Sequence, residues 1–157
     1  MGQSLVELIT PDRILPAVEA ADKEALLAAL ARRIADAAGL DPGTVEAALA
    51  ERERLSSTGV GSGIAIPHAQ VPGLARPIGY LARLQRPVAF GTEDGLEVDL
   101  VAVVLAPEGA MVDQLKALGR VARILRHRSI ADRLREARGA EAIHGILGRA
   151  EQELGPP

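Results

Sequence analysis

The sequence predicts an α/β fold, a single domain in which a mixed β-sheet is flanked by helices. Stretches with helical periodicity precede and follow a strand-rich middle, which is the arrangement expected for helices packed against one sheet. In that middle, the segment Val98–Ala106 is almost continuously apolar. A strand of that composition is covered on both faces, so we expect it at the centre of the sheet.

The elements before the strand-rich middle are predicted from residues that interrupt strands and from residues that begin or end helices. Pro16 would remove a ladder hydrogen bond from a central strand, so the first twenty residues predict a short helix or turn followed by an edge strand. Two helices follow. The first begins at Asp22 and faces the core, with Gly39 as its stop signal, and the second runs from the N-cap Asp41 to about Arg54.

Four short apolar segments predict the strands of the middle. A small, polar, glycine-rich loop at residues 56–63 comes first. The strand after it begins at Ile64 and is expected to end at Pro67-His68, because proline biases the preceding residue and stops the strand. The other candidates are Ile78–Leu84, the region around Val88–Phe90, and Val98–Leu105.

Helices are predicted for the remainder of the chain. A long helix is expected from about Ala110 to Arg126, a shorter one capped by Ser129, and a last one after Gly139. The long helix is expected to turn these side chains inward: Leu115, Leu118, Val121, Ala122 and Leu125.

Composition excludes several classes of protein. A chain of 157 residues can bury a core without cross-links, and the absence of cysteine excludes a disulfide framework or a thiolate metal site, which fits a cytoplasmic location. The net charge of −3 and the two aromatic residues, Tyr80 and Phe90, give nucleic acid neither attraction nor a stacking platform. No apolar run approaches the roughly 20 residues of a membrane span, so no membrane insertion is expected.

The residue types of the glycine-rich loop are more typical of a functional site than of a packed core. Gly59, Gly61 and Gly63 leave the backbone open so that successive N–H groups can turn toward one point, and Ser57 and Thr58 add hydroxyl donors. This combination is suited to holding an anion. It is not a nucleotide P-loop, because it lacks Gly-Lys-Ser/Thr and precedes a strand.

His68 lies directly downstream of this loop. Its unperturbed pKa near 6.5 leaves one ring nitrogen free at neutral pH, so the imidazole could act as a nucleophile toward phosphorus. The plainer interpretation is a histidine that caps a backbone carbonyl or faces solvent, and both stay open here. His127 and His144 are expected at the surface. No metal site is expected, because the histidines lack ligand spacing and no cysteine can complete a set.

Two clusters of charge also have a plain and a functional interpretation. Arg120, Arg123 and Arg126 recur at helical spacing. They form either a solvated helix face or a docking surface for an acidic partner or a weak nucleic-acid contact. The carboxylates of residues 93–99 are expected in a solvated turn rather than as an acid/base pair.

The string from Arg52 to His68 resembles the active-site signature of the enzyme IIA domains of the bacterial phosphotransferase system, of the fructose/mannitol and nitrogen-regulatory type. The matching residues are Arg52, Ser57-Thr58-Gly59, Gly61, Gly63 and Ile66-Pro67-His68. The similarity covers about residues 4–150, which leaves 151–157 as a flexible C-terminal tail. A stand-alone domain of this length looks more like the nitrogen-regulatory member than the sugar-transport one.

This resemblance implies a phosphocarrier rather than a turnover enzyme, with no cofactor. It implies that His68 accepts a phosphoryl group from a small histidine-containing phosphocarrier protein, with Arg52 close to the phosphohistidine and the loop residues Ser57, Thr58, Gly59, Gly61 and Gly63 binding phosphate. Gln114 stands where the family usually carries a second histidine, and Ala69-Gln70 replaces a Gly-Lys pair. Glutamine can donate a hydrogen bond to a phosphoryl oxygen but cannot carry a proton or charge at neutral pH.

Three functions remain open from the sequence. The first is a regulatory protein whose phosphorylated and unmodified forms bind a target protein differently. The second is a sugar-specific enzyme IIA that passes the group to enzyme IIB. The third is a non-phosphorylated interaction module that uses the arginine-rich helices.

Overall fold

A computed structural model of the protein describes residues 3–155. This part of the chain forms six strands and six α-helices, with one 3₁₀ turn at Pro11–Arg13. The helices are α1 (Leu5–Leu8), α2 (Lys23–Ala38), α3 (Pro42–Leu55), α4 (Met111–Leu125), α5 (Arg128–Glu136) and α6 (Ala140–Leu154). The strands are β1 (Ile14–Val18), β2 (Gly59–Gly61), β3 (Ile64–Ala65), β4 (His68–Val71), β5 (Ile78–Val88) and β6 (Val98–Pro107).

Strand β6 lies at the centre of a single mixed sheet. It pairs antiparallel with β5 on one side and parallel with β3 and then β4 on the other. Strand β1 is the edge beyond β5, and β2 is the edge beyond β3. The predicted α/β fold, the central position of β6 and the edge position of β1 are therefore confirmed.

The side chains on the two faces of β6 pack in two separate hydrophobic cores, which explains the nearly continuous apolar composition of the strand. Val101, Val103 and Leu105 pack in the core under α2 and α3. Leu100, Ala102 and Val104 pack in the core formed with α1 and with α4 to α6. Because successive side chains of a strand point to opposite faces, only a strand covered on both sides can bury them all.

The early helices begin and end where the sequence predicts. The Asp22 carboxylate accepts a hydrogen bond from the Ala25 N–H (2.8 Å), and the Asp41 carboxylate accepts one from the Thr44 N–H (2.9 Å). Gly39 closes α2 in the left-handed region at φ +72°, which glycine adopts without a steric cost. Between residues 3 and 155, no helix has both the length and the apolar character needed to cross a membrane.

Two predictions about the strands are wrong. His68 does not end a strand but begins β4: Pro67 has no N–H to donate, so β3 stops at Ala65, and the Pro67 carbonyl accepts from Val104 N–H (3.0 Å) as pairing with β6 resumes. The two segments predicted on either side of residue 86 form one strand, β5. Its register shifts between Arg83 and Val88, where the irregular pairing accommodates Pro87.

Two predictions about the late helices are also wrong. Helix α5 begins at Arg128 and not after Ser129, because the His127 carbonyl already accepts from the Ile130 and Ala131 N–H groups (both 3.0 Å). In α4, Leu115 is 61% exposed. The helix turns Gln114 and Ala117 toward the protein instead, together with Val121 and Leu125, which are buried as predicted.

The C-terminal helix extends past the expected end of the domain. Helix α6 continues through residues 151–154, which the sequence assigned to the tail. The Arg123 guanidinium donates to the carbonyls of Leu154 (2.6 Å) and Gly155 (2.7 Å), and the Glu151 carboxylate accepts from the Leu5 N–H (2.7 Å). The last two prolines of the predicted tail lie outside the described residues.

Candidate functional site

The hydrogen bonds of His68 define which ring nitrogen is reactive. Its Nδ1 lies 2.8 Å from the carbonyl oxygen of Ile66, which can only accept, so Nδ1 carries the proton. Its Nε2 then holds a lone pair, and the Nε–H of Arg52 donates to it at 3.2 Å. His68 is half-buried. The site therefore presents a neutral imidazole whose nucleophilic atom is Nε2.

Arg52 is held in place by the end of its own helix. It lies in the last turn of α3, and its Nη1 donates to the carbonyl of Ser56 (3.0 Å), the residue that ends the helix. The guanidinium is thereby fixed against His68 Nε2 before any ligand arrives. A fixed cation at the attacking atom is suited to an incoming group with negative charge.

The surroundings of His68 lower its pKa below the ordinary value of 6.5. Burial is the largest cause, because it disfavours the imidazolium. The hydrogen bond to the Ile66 carbonyl opposes this effect, the charge of Arg52 adds to it, and the charge of Glu53 opposes it. The neutral form therefore dominates at pH 7.

The lowered pKa predicts how His68 titrates. We expect the ring-proton resonances of His68 in an NMR titration to show a midpoint below 6.5, and the midpoint to rise in Arg52→Gln, where the cationic contribution is lost. Since the unprotonated ring is the nucleophile, phosphorylation should persist as pH falls through 6.5 and decline only near the lowered midpoint. A wild-type midpoint above 6.5 would contradict this description of the site.

Glu53 connects the site to the glycine-rich loop and is a residue that the sequence reasoning missed. Its carboxylate accepts from both the N–H (3.0 Å) and the hydroxyl (2.9 Å) of Thr58, and it forms an ion pair with Lys23 Nζ (3.1 Å). Its side chain is 6% exposed. Lys23 also donates to the Phe90 carbonyl (2.9 Å). The only sequence signal for Glu53 is its place beside Arg52, since a glutamate in a last helical turn ordinarily faces solvent.

The loop residues are brought close to His68 through the backbone. The Thr58 carbonyl accepts from the N–H of Ile66 (2.9 Å), the residue whose carbonyl holds the His68 ring. The Ser57 hydroxyl donates to the Phe90 carbonyl (2.9 Å) and accepts from the Gly59 N–H (3.0 Å). The amides of Thr58 and Gly59 are thus already bonded within the protein. Anion binding by this loop stays a prediction, and the contacts support a positioning role.

The rest of the loop folds back on β3 as a short hairpin. Gly61 and Gly63 adopt φ +93° and +81°, which other residues rarely adopt, so the glycines serve the turn itself. The Ser62 N–H donates to the Asp94 carboxylate (2.8 Å), and a cavity of about 720 Å³ on this side is lined by Glu93 and Asp94 as well as by the loop.

Gln114 is joined to the strand of His68 through Gln70. Gln70 lies two residues after His68 and on the same face of β4. Its Nε2 donates to the Gln114 Oε1 (3.4 Å), and its Oε1 accepts from the Gly109 N–H (3.1 Å). Gln114 is 7% exposed, and its Nε2 is buried without a hydrogen-bond partner among residues 3–155. A buried donor without a partner is costly, so Gln114 Nε2 is a candidate contact for a bound group.

The other candidate residues have structural contacts. The Arg123 guanidinium is bonded to the end of α6, so Arg120, Arg123 and Arg126 do not all present free side chains on one face of α4. Asp99 pairs with Arg135 (3.1 Å), and the exposed Asp94 carboxylate accepts from the Leu96 N–H (3.1 Å) and the Thr92 hydroxyl (2.9 Å) of its own turn. His127 is exposed. His144 Nε2 lies 3.4 Å from the Val6 carbonyl oxygen.

Exposed apolar side chains lie on the two helices that carry Arg52 and Gln114. Leu55 ends α3, and Met111, Val112 and Leu115 lie on the first turns of α4. Each of these four side chains is more than half exposed. Large apolar side chains grouped at a surface mark sites of protein contact.

Comparison with known proteins gives a consistent result. The family model described as "Phosphoenolpyruvate-dependent sugar phosphotransferase system, EIIA 2" matches residues 7–150. A nitrogen regulatory protein of Bradyrhizobium diazoefficiens is 46% identical over 143 residues, which is 91% of this chain and 94% of that protein. A fructose-specific EIIABC component of Bacillus subtilis is 32% identical over 149 residues, which is 94% of this chain but 24% of that protein.

Structural comparison points the same way. The crystal structure of nitrogen regulatory protein IIA-Ntr from Neisseria meningitidis superposes with a TM-score of 0.84 and 31% identity, covering 90% of this chain and 97% of that one. The fold and the string from Arg52 to His68 had already indicated the same group of proteins. The chain belongs to the EIIA 2 family of the phosphoenolpyruvate-dependent sugar phosphotransferase system.

Proposed function

We propose that the protein is a regulatory phosphocarrier: His68 accepts a phosphoryl group from a histidine-containing phosphocarrier protein, and the two resulting forms bind a target protein differently. The observation that carries the proposal is the pair of contacts on the His68 ring, which fix the proton on Nδ1 and put Arg52 against Nε2. A histidine that only caps a backbone carbonyl accounts for the Nδ1 contact but not for a guanidinium held against Nε2.

The transfer step is a displacement at phosphorus between two imidazoles. The Nε2 lone pair of His68 attacks the phosphorus, and the N–P bond to the protonated ring of the donor histidine breaks. The donor ring leaves neutral, while His68 becomes the phosphorylated imidazolium, whose Nδ1–H still donates to the Ile66 carbonyl. No proton has to move in the step, so the protein's task is positioning and stabilisation of negative charge.

Two side chains are assigned to the phosphoryl group in this proposal, and a third has a positioning role. The Arg52 Nε–H moves from the Nε2 lone pair to a phosphoryl oxygen, which exchanges a hydrogen bond to a neutral acceptor for one to a negatively charged acceptor. The unpartnered Nε2–H of Gln114 donates to the same group. The hydrogen bond from Gln70 to the Gln114 Oε1 holds the side chain near β4. Thr58 acts through Glu53 and Ile66 as a positioning residue.

The exposed apolar residues Leu55, Met111, Val112 and Leu115 are proposed as the surface on which the phosphocarrier and the target dock. They lie on the helix ends that carry Arg52 and Gln114, so a partner seated there reaches His68. The phosphoryl group brings about −2 charge to His68, offset in part by the +1 charge of the imidazolium, and this change alters the docking of any partner that contacts the residue. The similarity to nitrogen regulatory proteins favours the regulatory role.

The alternative function is a sugar-specific enzyme IIA that passes the group to enzyme IIB. The similarity to the fructose-specific EIIABC component of Bacillus subtilis supports it. Gln114 argues against it, because a neutral amide cannot supply the charge or proton that a second histidine would give to onward transfer. A third function, an interaction module that is never phosphorylated, would leave the constrained His68 ring without a use.

A labelling experiment separates these functions. With phosphoenolpyruvate and the upstream phosphotransferase proteins, we expect one acid-labile phosphoryl group on the protein and little discharge on addition of an enzyme IIB domain. Rapid discharge to enzyme IIB would favour the sugar-transport function. Absence of phosphorylation with any histidine-containing phosphocarrier, together with partner binding that His68→Ala does not change, would favour the interaction module.

Replacement of Gln114 by histidine tests the role of that position. An imidazole there can become charged beside the phosphoryl group, so we expect Gln114→His to discharge to enzyme IIB faster by about tenfold, the factor for one charge-assisted hydrogen bond over a neutral one. The measurement is the decay of labelled protein after mixing with the acceptor. Gln114→Leu is the matched control and should discharge no faster than wild type; equal rates for all three proteins would remove Gln114 from the site.

A further inference from the structure

A second cavity, away from His68, has an unusual charge. Its volume is about 270 Å³, and it lies between α1, α4 and the segment that leads into β5. Its lining includes three cationic side chains, Arg76, Lys116 and Arg120, and one carboxylate, Asp113. The cavity therefore has two positive charges in excess, and it shares no lining residue with the site of His68.

The three cations of this cavity have no acidic partner of their own. Among residues 3–155, none of them has a carboxylate oxygen within ion-pair distance, whereas Arg133 and Arg135 do. Lys116 and Arg120 follow Asp113 at helical spacings of three and seven, so one face of α4 presents them together. Like charges held side by side repel each other, and a bound anion relieves that repulsion.

Two further observations support an anion in this cavity. Gln3 lines it, and the Gln3 side-chain nitrogen is buried without a hydrogen-bond partner among the described residues. The pKa of Glu7 is lowered, first by hydrogen bonds from Ser4 and then by the charges of Arg76 and Arg120. The charges of Arg76 and Arg120 thus already act on the Glu7 carboxylate, with which neither arginine forms an ion pair.

We propose that the cavity lined by Arg76, Lys116 and Arg120 binds a small dianion whose charge is carried by a phosphate group or by two carboxylates. Guanidinium groups match the planar edges of both kinds of anion, and the excess of two positive charges matches a double negative charge. The volume accommodates a small metabolite and not a nucleotide cofactor. The unpartnered Gln3 nitrogen supplies a neutral donor.

The test is an NMR titration of the intact protein with inorganic phosphate and, separately, with succinate, both at constant ionic strength set with sodium chloride. We expect saturable shifts of the backbone amides of residues 116–120 and of the Gln3 side-chain amide. Saturation by both anions assigns the site to double charge alone, and saturation by one of them assigns it to that class. Shifts that stay linear, or that chloride reproduces, would overturn the proposal.

Variants connect the titration to the cavity. Arg76→Gln and Arg120→Gln should each weaken binding about tenfold, because each removes one charge-assisted contact. The matched control is Arg128→Gln, which makes the same charge change at an exposed position outside the cavity and should bind as wild type does. Equal affinity in all four proteins, with unchanged spectra elsewhere, would also overturn the proposal.

Discussion

His68→Ala is expected to take up no phosphoryl group under conditions that label the wild-type protein fully. The substitution removes the Nε2 lone pair, and no other residue among those described presents a histidine ring held in the same way. Because His68 is at the start of β4 and only half-buried, the fold should survive the change. The measurement is the incorporation of label from phosphoenolpyruvate, with circular dichroism as the test of folding.

The two remaining histidines provide matched controls for this experiment. His127 is exposed at the start of α5, and His144, a residue of α6, lies beside the Val6 carbonyl of α1. His127→Ala and His144→Ala should both accept label at the wild-type rate. Label retained by His68→Ala, or lost only in one of the controls, would show that the acceptor lies elsewhere.

Arg52→Gln is expected to slow phosphorylation by about 10²–10³-fold, the cost of removing one positioned donor from a charged transition state. The variant keeps a polar side chain but loses the fixed cation at Nε2. Arg52→Lys should recover only part of the rate, because an ammonium group cannot reproduce the contacts of Nε and Nη1 at once. The measurement is the initial rate of label uptake at saturating phosphocarrier.

Arg54 is the matched control for Arg52. It lies two residues later on α3, is exposed, and pairs with Glu51 on the same helix. Arg54→Gln removes the same charge from the same helix and should change the rate by less than about twofold, since exposed ion pairs contribute little. If Arg52→Gln and Arg54→Gln slow the reaction equally, the effect of Arg52 is general docking electrostatics and not contact with the phosphoryl group.

The sequence predicts the central features of the fold because those features are local. A nearly continuous apolar segment gave the central strand β6, and short-range caps at Asp22 and Asp41 gave the starts of two helices. The errors occur where contacts between residues far apart in the sequence determine the local structure. His68 begins a strand because Val104 bonds to the residue before it, and Leu115 is exposed because α4 packs on the face that holds Gln114.

The candidate site shows the same division. The family resemblance singled out His68, Arg52 and Gln114, and the structure joins the first two directly. Neither the tautomer of His68 nor the role of Glu53 could be read from the sequence, because both depend on partners that the fold brings together. The glycine-rich loop illustrates the difference: its composition predicted anion binding, whereas the amides of Thr58 and Gly59 already have protein acceptors.

The ring position of the phosphoryl group tests the proposed mechanism most directly. Long-range ¹H–¹⁵N NMR of the phosphorylated protein distinguishes substitution at Nε2 from substitution at Nδ1. We expect phosphorus on Nε2 of His68, with the proton retained on Nδ1 and donated to the Ile66 carbonyl. Phosphorus on Nδ1 would contradict the mechanism, because that atom carries the proton that fixes the ring and has no lone pair facing Arg52.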